Sequence, residues 1–223
     1  MALRGKGMLA VYTEAAPRHE RDLNEWYNRE HIDERVNLPG FHRARRYVAV
    51  KGSPKYLATY ECDRVDDLAT RRYLHVLANQ TPWSERVIGR FTYFHRMTMR
   101  VQLDLAHGEG GALTTVRFVP QPPQRRRLIA WLKQTLPAAI AKPGMVGAAV
   151  LENDVEIADA PQRSGSMDRP KPDAEWMVML EGADAEATAS AARALFKASA
   201  LKPFGATKPS VIGTYRFLFG NAR

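Results

Sequence analysis

The residue pattern in the first half of this 223-residue chain starts again in the second half, and this internal repeat constrains the fold most strongly. Matching features occur in the same order in both halves: Trp26 with Trp131, Pro39-Gly40 with Pro143-Gly144, residues 56–61 with 176–181, and residues 87–93 with 211–217. A glycine-containing stretch at residues 104–112 separates the two patterns. The sequence therefore predicts two copies of one unit, residues 1–104 and 111–223.

Within the first unit, the pattern indicates the order β-α-β-β-α-β, which is the ferredoxin-like unit. Apolar and alternating runs predict four strands, at residues 8–13, 41–50, 56–61 and 90–101. Helical spacing predicts a first helix that ends by residue 37, because the Leu38-Pro39-Gly40 sequence that follows cannot continue a helix. A second helix is predicted over residues 65–77, with Asp63 as its N-cap and a break at residues 81–84.

The distance between matching residues grows within the second unit, and this growth locates an insertion at residues 153–174. The insertion contains the polar sequence QRSGSMDRPKPD, whose proline, glycine and serine content predicts a loop. Loops beside a pocket often act as lids that exclude water from the reaction. We therefore interpret this insertion as a candidate lid.

Charge and apolar content limit the class of protein. The net charge of +9 comes without a Lys-rich arm, zinc-finger spacing or aromatic RNA-binding signature, so we expect no nucleic-acid partner. Arginines concentrate in residues 18–46, which favours a site for an anionic small molecule, or simply a soluble surface. No apolar run reaches the ~18 residues that span a bilayer. The single cysteine, Cys62, excludes an intramolecular disulfide, and we expect a cytoplasmic protein.

One motif carries a resemblance to a known family. The sequence W-Y-N-x-x-H precedes L-P-G-F-x-x-A-x-R-Y, and the matching residues are Trp26, Tyr27, Asn28, His31, Leu38, Pro39, Gly40, Phe41, Ala44, Arg46 and Tyr47. Together with the two ferredoxin-like units, this motif resembles the dimeric α/β-barrel superfamily, and within it the EthD-like branch. The resemblance implies an α+β fold in which two tandem ferredoxin-like βαββαβ repeats close one barrel within the chain.

The same resemblance implies the reaction only weakly, because the superfamily supports many activities. They include antibiotic-type monooxygenases, haem-degrading enzymes, muconolactone isomerases, decarboxylases and polyketide cyclases. The reaction must therefore be argued from individual residues.

His31 is the leading candidate for chemistry. Tyr27 and His31 share one face of the predicted first helix, and Asn28 adjoins them. A histidine titrates near neutral pH, so it can move a proton without a metal. We therefore predict His31, Tyr27 and Asn28 as catalytic residues; the alternative is a surface or helix-terminal histidine.

The second unit lacks this polar set. When Trp131 is aligned with Trp26, the three catalytic positions are occupied by Leu132, Lys133 and Leu136. If the polar side chains served only folding, both units should need them. We therefore expect one working pocket, in the first unit, with the second unit as its structural partner.

The second predicted strand supplies candidates for substrate binding. Alternation puts its polar side chains on two opposite faces, Arg43, Arg45 and Tyr47 on one, His42 and Arg46 on the other. A buried arginine would hold a carboxylate or phenolate in a fixed geometry, whereas the alternative is salt bridges with acidic residues of the first helix. Tyr12 and Tyr60 complete the predicted substrate-binding set as aromatic lining. The sequence does not show which face lines the pocket.

Three functions remain open. The main hypothesis is a cofactor-independent lyase, isomerase, cyclase or decarboxylase acting on a small aromatic or polyketide-like acid, with His31 as general acid or base. The first alternative is a monooxygenase that uses a haem or the substrate itself to activate oxygen. The second is a non-catalytic small-molecule-binding or stress-response module. The histidines at positions 31, 42, 75 and 95 match no local metal-ligand spacing, so we expect no metal; a homodimer stays open.

Overall fold

The computed structural model describes residues 3–50, 52–165, 172–206 and 211–223. Eight strands lie within these residues: β1 (Gly7–Ala15), β2 (Phe41–Ala49), β3 (Tyr56–Cys62), β4 (Phe91–Asp104), β5 (Ala112–Phe118), β6 (Met145–Asn153), β7 (Trp176–Gly182) and β8 (Val211–Ala222). They form a closed antiparallel barrel in the order β1-β3-β2-β8-β5-β7-β6-β4. The α+β barrel predicted as the fold class is thereby confirmed.

Each half of the chain contributes four neighbouring strands in the same order, β4-β1-β3-β2 and β8-β5-β7-β6. Two strand pairs join the halves, β2 with β8 and β4 with β6, and both are antiparallel. These pairs satisfy the backbone groups that would otherwise lie at open sheet edges. The barrel therefore closes within a single chain.

Helices pack on the strands from outside: α1 (Glu20–Trp26), α2 (Ile32–Val36), α3 (Arg71–Ala78), α4 (Pro82–Ile88), α5 (Arg125–Ile140), α6 (Val155–Arg163), α7 (Ala185–Leu195) and α8 (Ala198–Leu201). Because side chains alternate along a strand, one face of each strand points into the barrel and the other meets the helices. No helix in the described ranges combines the length and apolar character that crossing a membrane requires.

Buried apolar residues form three clusters, one inside the barrel and one under the helices of each half. The interior cluster contains Met8, Leu57 and Met177. The outer cluster of the first half includes Trp26, and that of the second half includes Leu136. A functional side chain on a strand therefore belongs either to the barrel interior or to one of the two helix-covered layers.

The second predicted helix is wrong at its start. Residues Val65–Ala69 form a 3₁₀ turn, and α3 begins only after Thr70, whose hydroxyl accepts a hydrogen bond from the backbone N–H of Tyr73. Thr70 is therefore the N-cap of the α-helix, and Asp63 is not. The sequence pattern missed this because the 3₁₀ turn continues the apolar spacing of the helix.

Two predicted irregular segments contain helices instead. Residues 81–84 begin α4, because Thr81 caps its first turn and the proline that follows stands where a missing N–H breaks no hydrogen bond. The predicted insertion loop, residues 153–174, contains α6, which is capped by Asp154. Part of the predicted loop, residues 166–171, lies outside the described residues.

Candidate active site

The helix that carries the predicted catalytic residues is interrupted by a π-helical turn. α1 leads directly into this turn, Tyr27–His31, and α2 follows it without a break. A π turn is rare and frequently marks a functional site. His31 is the last residue of the turn, and its ring lies 6.0 Å from the ring of Tyr60 on β3. The turn therefore sits directly above the outer face of the sheet.

A narrow pocket lies between this helix and the outer face of β1, β3 and β4. Its empty space of about 460 Å³ includes open solvent at the mouth, so the enclosed part is much smaller. Six aromatic side chains line it: Trp26, Tyr27, Tyr60, Tyr73, Phe91 and Phe94. Walls of this kind favour a planar, apolar ligand, because aromatic rings pack face to face or edge to face.

His31 is held in this pocket by aromatic contacts. Its ring stacks on Trp26 with centroids 4.1 Å apart and meets Tyr27 edge-on at 5.3 Å. Its Nδ1 atom is buried and has no hydrogen-bond partner among the described residues. Burial holds the pKa of His31 well below its usual 6.5, and the charges of Arg35 and Arg46 lower it further. The imidazole is therefore neutral at neutral pH, and Nδ1 can accept a hydrogen bond from a ligand.

Two tyrosine hydroxyls accompany this acceptor. Burial raises the pKa of Tyr60 well above 10, and it also raises the pKa of Tyr27, so both side chains stay protonated at neutral pH. The hydroxyl of Tyr60, beside that of Tyr27, is buried without a hydrogen bond of good geometry in the described part of the chain. It is available to donate to an oxygen of a ligand.

Gln80 adds a second buried acceptor. Its side-chain Nε2 donates to the carbonyl oxygens of Val76 and Leu77 at 3.0 and 2.9 Å, which fixes the amide at the end of α3. The Oε1 atom is buried and has no partner within the described ranges. The pocket thus contains unsatisfied polar atoms of both kinds, and each is stabilised if a ligand supplies the missing hydrogen bond.

Two arginines contribute to the pocket lining, and one of them has a carboxylate partner. Arg35 is buried and donates to Glu34 at 2.8 Å. Arg96 is buried on β4, donates to the hydroxyl of Tyr73 at 3.1 Å, and lies over the ring of that tyrosine. Both guanidinium-bearing side chains belong to the pocket lining.

The predicted residues Asn28 and Arg46 lie behind the pocket wall. Arg46 is buried against the ring of Tyr27 at 4.0 Å, and it donates to Asn24 and Asn28 at 2.9 and 3.3 Å. These contacts hold Arg46 against the ring of Tyr27. Neither residue is part of the lining.

Four other predicted binding residues lie elsewhere. Arg43 and Arg45 form buried ion pairs with Glu61 on the interior face of the barrel. Tyr47 and Tyr12 belong to the interior cluster, and burial raises the pKa of Tyr12 to about 12. The sheet separates all four from the pocket that contains His31.

His42 is half-exposed at the start of β2, where its Nε2 atom lies 2.6 Å from Asp63. The predicted lid does not contribute to the pocket lining in its described part. α6 packs on the 3₁₀ turn Val65–Ala69 and on β4, and no residue of residues 153–165 or 172–174 lines the pocket. Of the sequence-predicted set, the structure brings together only His31, Tyr27 and Tyr60.

Sequence reasoning missed Gln80 and Arg96. Gln80 follows α3 and Arg96 lies on β4, so both are far from the motif in sequence. The ferredoxin-like order places β4 next to β1, and alternation puts Phe94 and Arg96 on one face. That combination was a usable signal for Arg96, whereas the burial of Gln80 Oε1 depends on side-chain packing.

Haem does not fit this pocket. If His31 held a haem iron, the imidazole would need free space around it for the macrocycle. The His31 ring instead has Trp26, Tyr27 and Tyr60 at centroid distances of 4.1, 5.3 and 6.0 Å. In addition, no three His, Cys, Asp or Glu side chains of the described segments are grouped so that they could hold a metal ion.

No family model and no curated protein matches this chain. Solved structures do share its fold. An anthrone oxidase-like protein matches with a TM-score of 0.66 and 14% identity, over 97% of this chain and 92% of that protein. A proposed monooxygenase from Lactobacillus acidophilus matches with a TM-score of 0.59 and 10% identity, over 97% of this chain and 96% of that protein. A dye-decolorizing protein from V. cholerae matches with a TM-score of 0.57 and 12% identity, over 100% of this chain and 95% of that protein.

The chain therefore has the fold of the dimeric α/β-barrel, ferredoxin-like proteins. The named activities of these neighbours are oxidative, and they contradict the main functional hypothesis drawn from the sequence. The prediction of a lyase, isomerase, cyclase or decarboxylase is wrong on this comparison. The monooxygenase alternative agrees better with the neighbours.

Proposed function

We propose that this protein is an enzyme that oxidises a small hydroxylated aromatic molecule with molecular oxygen, and that the substrate itself activates the oxygen. The observation that carries this proposal is the buried, unpartnered Nδ1 atom of His31 in an aromatic pocket. The oxidative descriptions of proteins with this fold support oxygen as the second substrate. The crowding around His31 favours a reaction without haem.

The pocket binds the substrate through its ring and its hydroxyl. A planar ring packs between the aromatic walls and is stabilised by burial of its apolar surface. The substrate hydroxyl donates to His31 Nδ1, and the Tyr60 hydroxyl donates to the same substrate oxygen. This arrangement supplies the hydrogen bonds that both protein groups lack in the described structure.

His31 acts as the general base. It accepts the proton of the substrate hydroxyl, and the hydrogen bond from the Tyr60 hydroxyl stabilises the phenolate that forms. The electron-rich phenolate then reduces oxygen. For a phenol with a free para C–H bond, the balanced reaction removes two hydrogen atoms and adds one oxygen atom to give a quinone, while the second oxygen atom leaves as water.

The first prediction tests this reaction with 1-naphthol, which would consume one equivalent of oxygen and give 1,4-naphthoquinone and water. Oxygen uptake and quinone absorbance are measured together. His31→Leu should lower turnover by about 10²–10⁴-fold, because that is the usual contribution of a positioned general base. The variant should still fold, since Leu136 occupies the equivalent position of the second half and is fully buried there.

Two controls separate this result from a structural effect. His31→Gln keeps polarity but loses the titrating nitrogen, so it should be as slow as His31→Leu. His107→Leu removes an exposed histidine outside the pocket and should keep full activity. Full turnover in a folded His31→Leu protein would contradict the proposal, and so would an absence of oxygen uptake by the wild type with hydroxylated one- to three-ring aromatics.

We also propose the finer parts of the sequence-based assignment. They are membership of the EthD-like branch, a working unit at residues 1–104 with a degenerate unit at 111–223, a small aromatic or anionic substrate, and a cytoplasmic protein. The shared strand order of the two halves supports the division into units. A homodimer would be tested by light scattering on the purified protein.

A further inference from the structure

One end of the pocket contains a charged group that the proposed oxidation does not use. Arg96 is 8% exposed, so most of this residue is removed from water. It donates to the neutral hydroxyl of Tyr73, and no carboxylate in the described parts of the chain lies within ion-pair distance of it. A buried cation without an anionic partner is costly. Negative charge on a ligand would be stabilised at this position.

Arg96 lies well away from the reacting end of the pocket. Leu9 of β1 pairs with Tyr60 of β3 on one side and with Thr98 of β4 on the other, and Arg96 precedes Thr98 on the same face. A strand spacing of ~4.8 Å and a rise of ~3.4 Å per residue place the Cα atoms of Tyr60 and Arg96 about 12 Å apart. Their side chains converge on one cavity, so a molecule with two fused rings would extend from one to the other.

The arginines that sequence analysis assigned to this role are already occupied. Arg43 and Arg45 form ion pairs with Glu61 and Glu181 at 2.8 and 2.6 Å on the interior side of the sheet. Arg46 lies behind Tyr27 and outside the lining. Among the arginines named here, only Arg96 and Arg35 reach the cavity, and Arg35 has Glu34 as its partner.

We infer that the substrate is a hydroxylated aromatic acid, whose carboxylate binds Arg96 while its hydroxyl faces His31. Arg96 is then a specificity-determining residue for the pocket. The inference rests on the proposed function, which places the reacting hydroxyl at His31. A charged hydrogen bond from a guanidinium fork adds both affinity and orientation, so Arg96 would select acids over neutral phenols of the same size.

The second prediction is tested by calorimetric binding of three matched probes: 5-hydroxy-1-naphthoate, its methyl ester and 1-naphthol. Wild-type protein should bind the acid about 10- to 100-fold more tightly than the ester or 1-naphthol, which corresponds to a charged hydrogen bond. Arg96→Met should abolish this preference while it leaves 1-naphthol binding within about threefold. Arg96→Lys should retain part of the preference, because it keeps the charge but not the planar fork.

The matched control is Arg100→Met, which removes one positive charge from the same strand. Arg100 is exposed and pairs with Asp154 at 2.6 Å outside the cavity, so its loss should not change the preference. An unfolding midpoint for each variant confirms that the protein is folded. If Arg96→Met does not fold, the Lys variant and the wild-type preference still decide the inference.

The outcomes distinguish this inference from the proposed oxidation. Equal affinity of wild type for acid and ester, no binding of any probe at millimolar concentration, or an equal loss in Arg100→Met would overturn the role of Arg96. A clear preference for the acid that depends on Arg96, without oxygen uptake, would instead contradict the oxidation and keep the anion site.

Discussion

The two halves of the barrel differ most where their first helices pack on the sheet. In the first half, the helix breaks into a π turn at Tyr27–His31, and His31 lies in a pocket with an unpartnered nitrogen. In the second half, α5 runs as a regular helix from Arg125 to Ile140, and Leu132 and Leu136 fill the equivalent layer. The same strand order therefore accommodates a pocket lined by His31 in one half and buried leucines at the matching positions of the other.

The difference shows that the polar set is a cost to the fold, not a requirement of it. A buried polar atom without a partner destabilises the native state by about 1–3 kcal/mol. His31 Nδ1, Tyr60 O–H and Gln80 Oε1 each leave such an atom in one cavity. The second half shows that leucines can fill the layer under the first helix without loss of the barrel.

The third prediction tests the same comparison with the reverse substitution, which puts a histidine in the second half. Leu136→His should destabilise the protein by about 2–5 kcal/mol, because it removes a fully buried apolar side chain and buries an imidazole without a partner. Denaturant unfolding measures the change in the free energy of unfolding. Leu136→Met is the matched control and should cost less than about 1.5 kcal/mol.

A change of less than about 0.5 kcal/mol in Leu136→His would mean that the second half also tolerates a polar group at this position. The asymmetry between the halves would then say nothing about function. The same measurement on His31→Leu should show a protein at least as stable as the wild type.

The fourth prediction concerns the hydrogen bond that supports Trp26, whose ring stacks on the ring of His31. The indole N–H of Trp26 donates to the hydroxyl of Ser84 at 3.0 Å, in a fully buried contact. Ser84→Ala should destabilise the protein by about 1–2 kcal/mol, since the indole N–H loses its partner. Ser190→Ala on the exposed face of α7 is the control and should be neutral.

Trp131 in the second half provides the contrast, because it is half-buried and packs on Phe196 and Phe204. Turnover of 1-naphthol by Ser84→Ala should fall along with stability if Trp26 positions His31. Unchanged turnover per folded molecule would show that Trp26 serves packing alone.

The fold could be predicted because its evidence is local and repeated. Short alternating runs identify strands, and the recurrence of Trp26 as Trp131 and of Gly40 as Gly144 identifies two units. Both glycines adopt positive φ, 83° and 82°, which explains why the turn after each first helix keeps the same residue. The 3₁₀ turn before α3 was missed, because its apolar spacing resembles that of a helix.

The site could be predicted only in part, because a pocket joins residues that are distant in sequence. His31 and Tyr27 share one helical turn, so their proximity follows from spacing alone. Alternation along β2 defines two faces but does not say which faces the helices, since both are buried. The interior position of Arg43 and Arg45 is therefore seen only in the closed barrel, where they form ion pairs with Glu61 and Glu181.

The last prediction uses the pH dependence of stability to sharpen the contrast between His31 and Leu136. Burial lowers the pKa of His31 in the folded state, so the unfolded chain binds more protons once the pH falls below 6.5. The stability contributed by the neutral imidazole is complete above 6.5 and is lost as the pH falls from 6.5 toward the lower folded pKa. Between pH 7 and pH 5, the free energy of unfolding should therefore fall by about 1 kcal/mol more in the wild type than in His31→Leu. This value is reduced because the ring is partly exposed and solvent screens its charge. Urea unfolding of wild type, His31→Leu and His31→Gln at both pH values measures this difference; parallel curves for all three proteins would mean that the His31 pKa is not lowered.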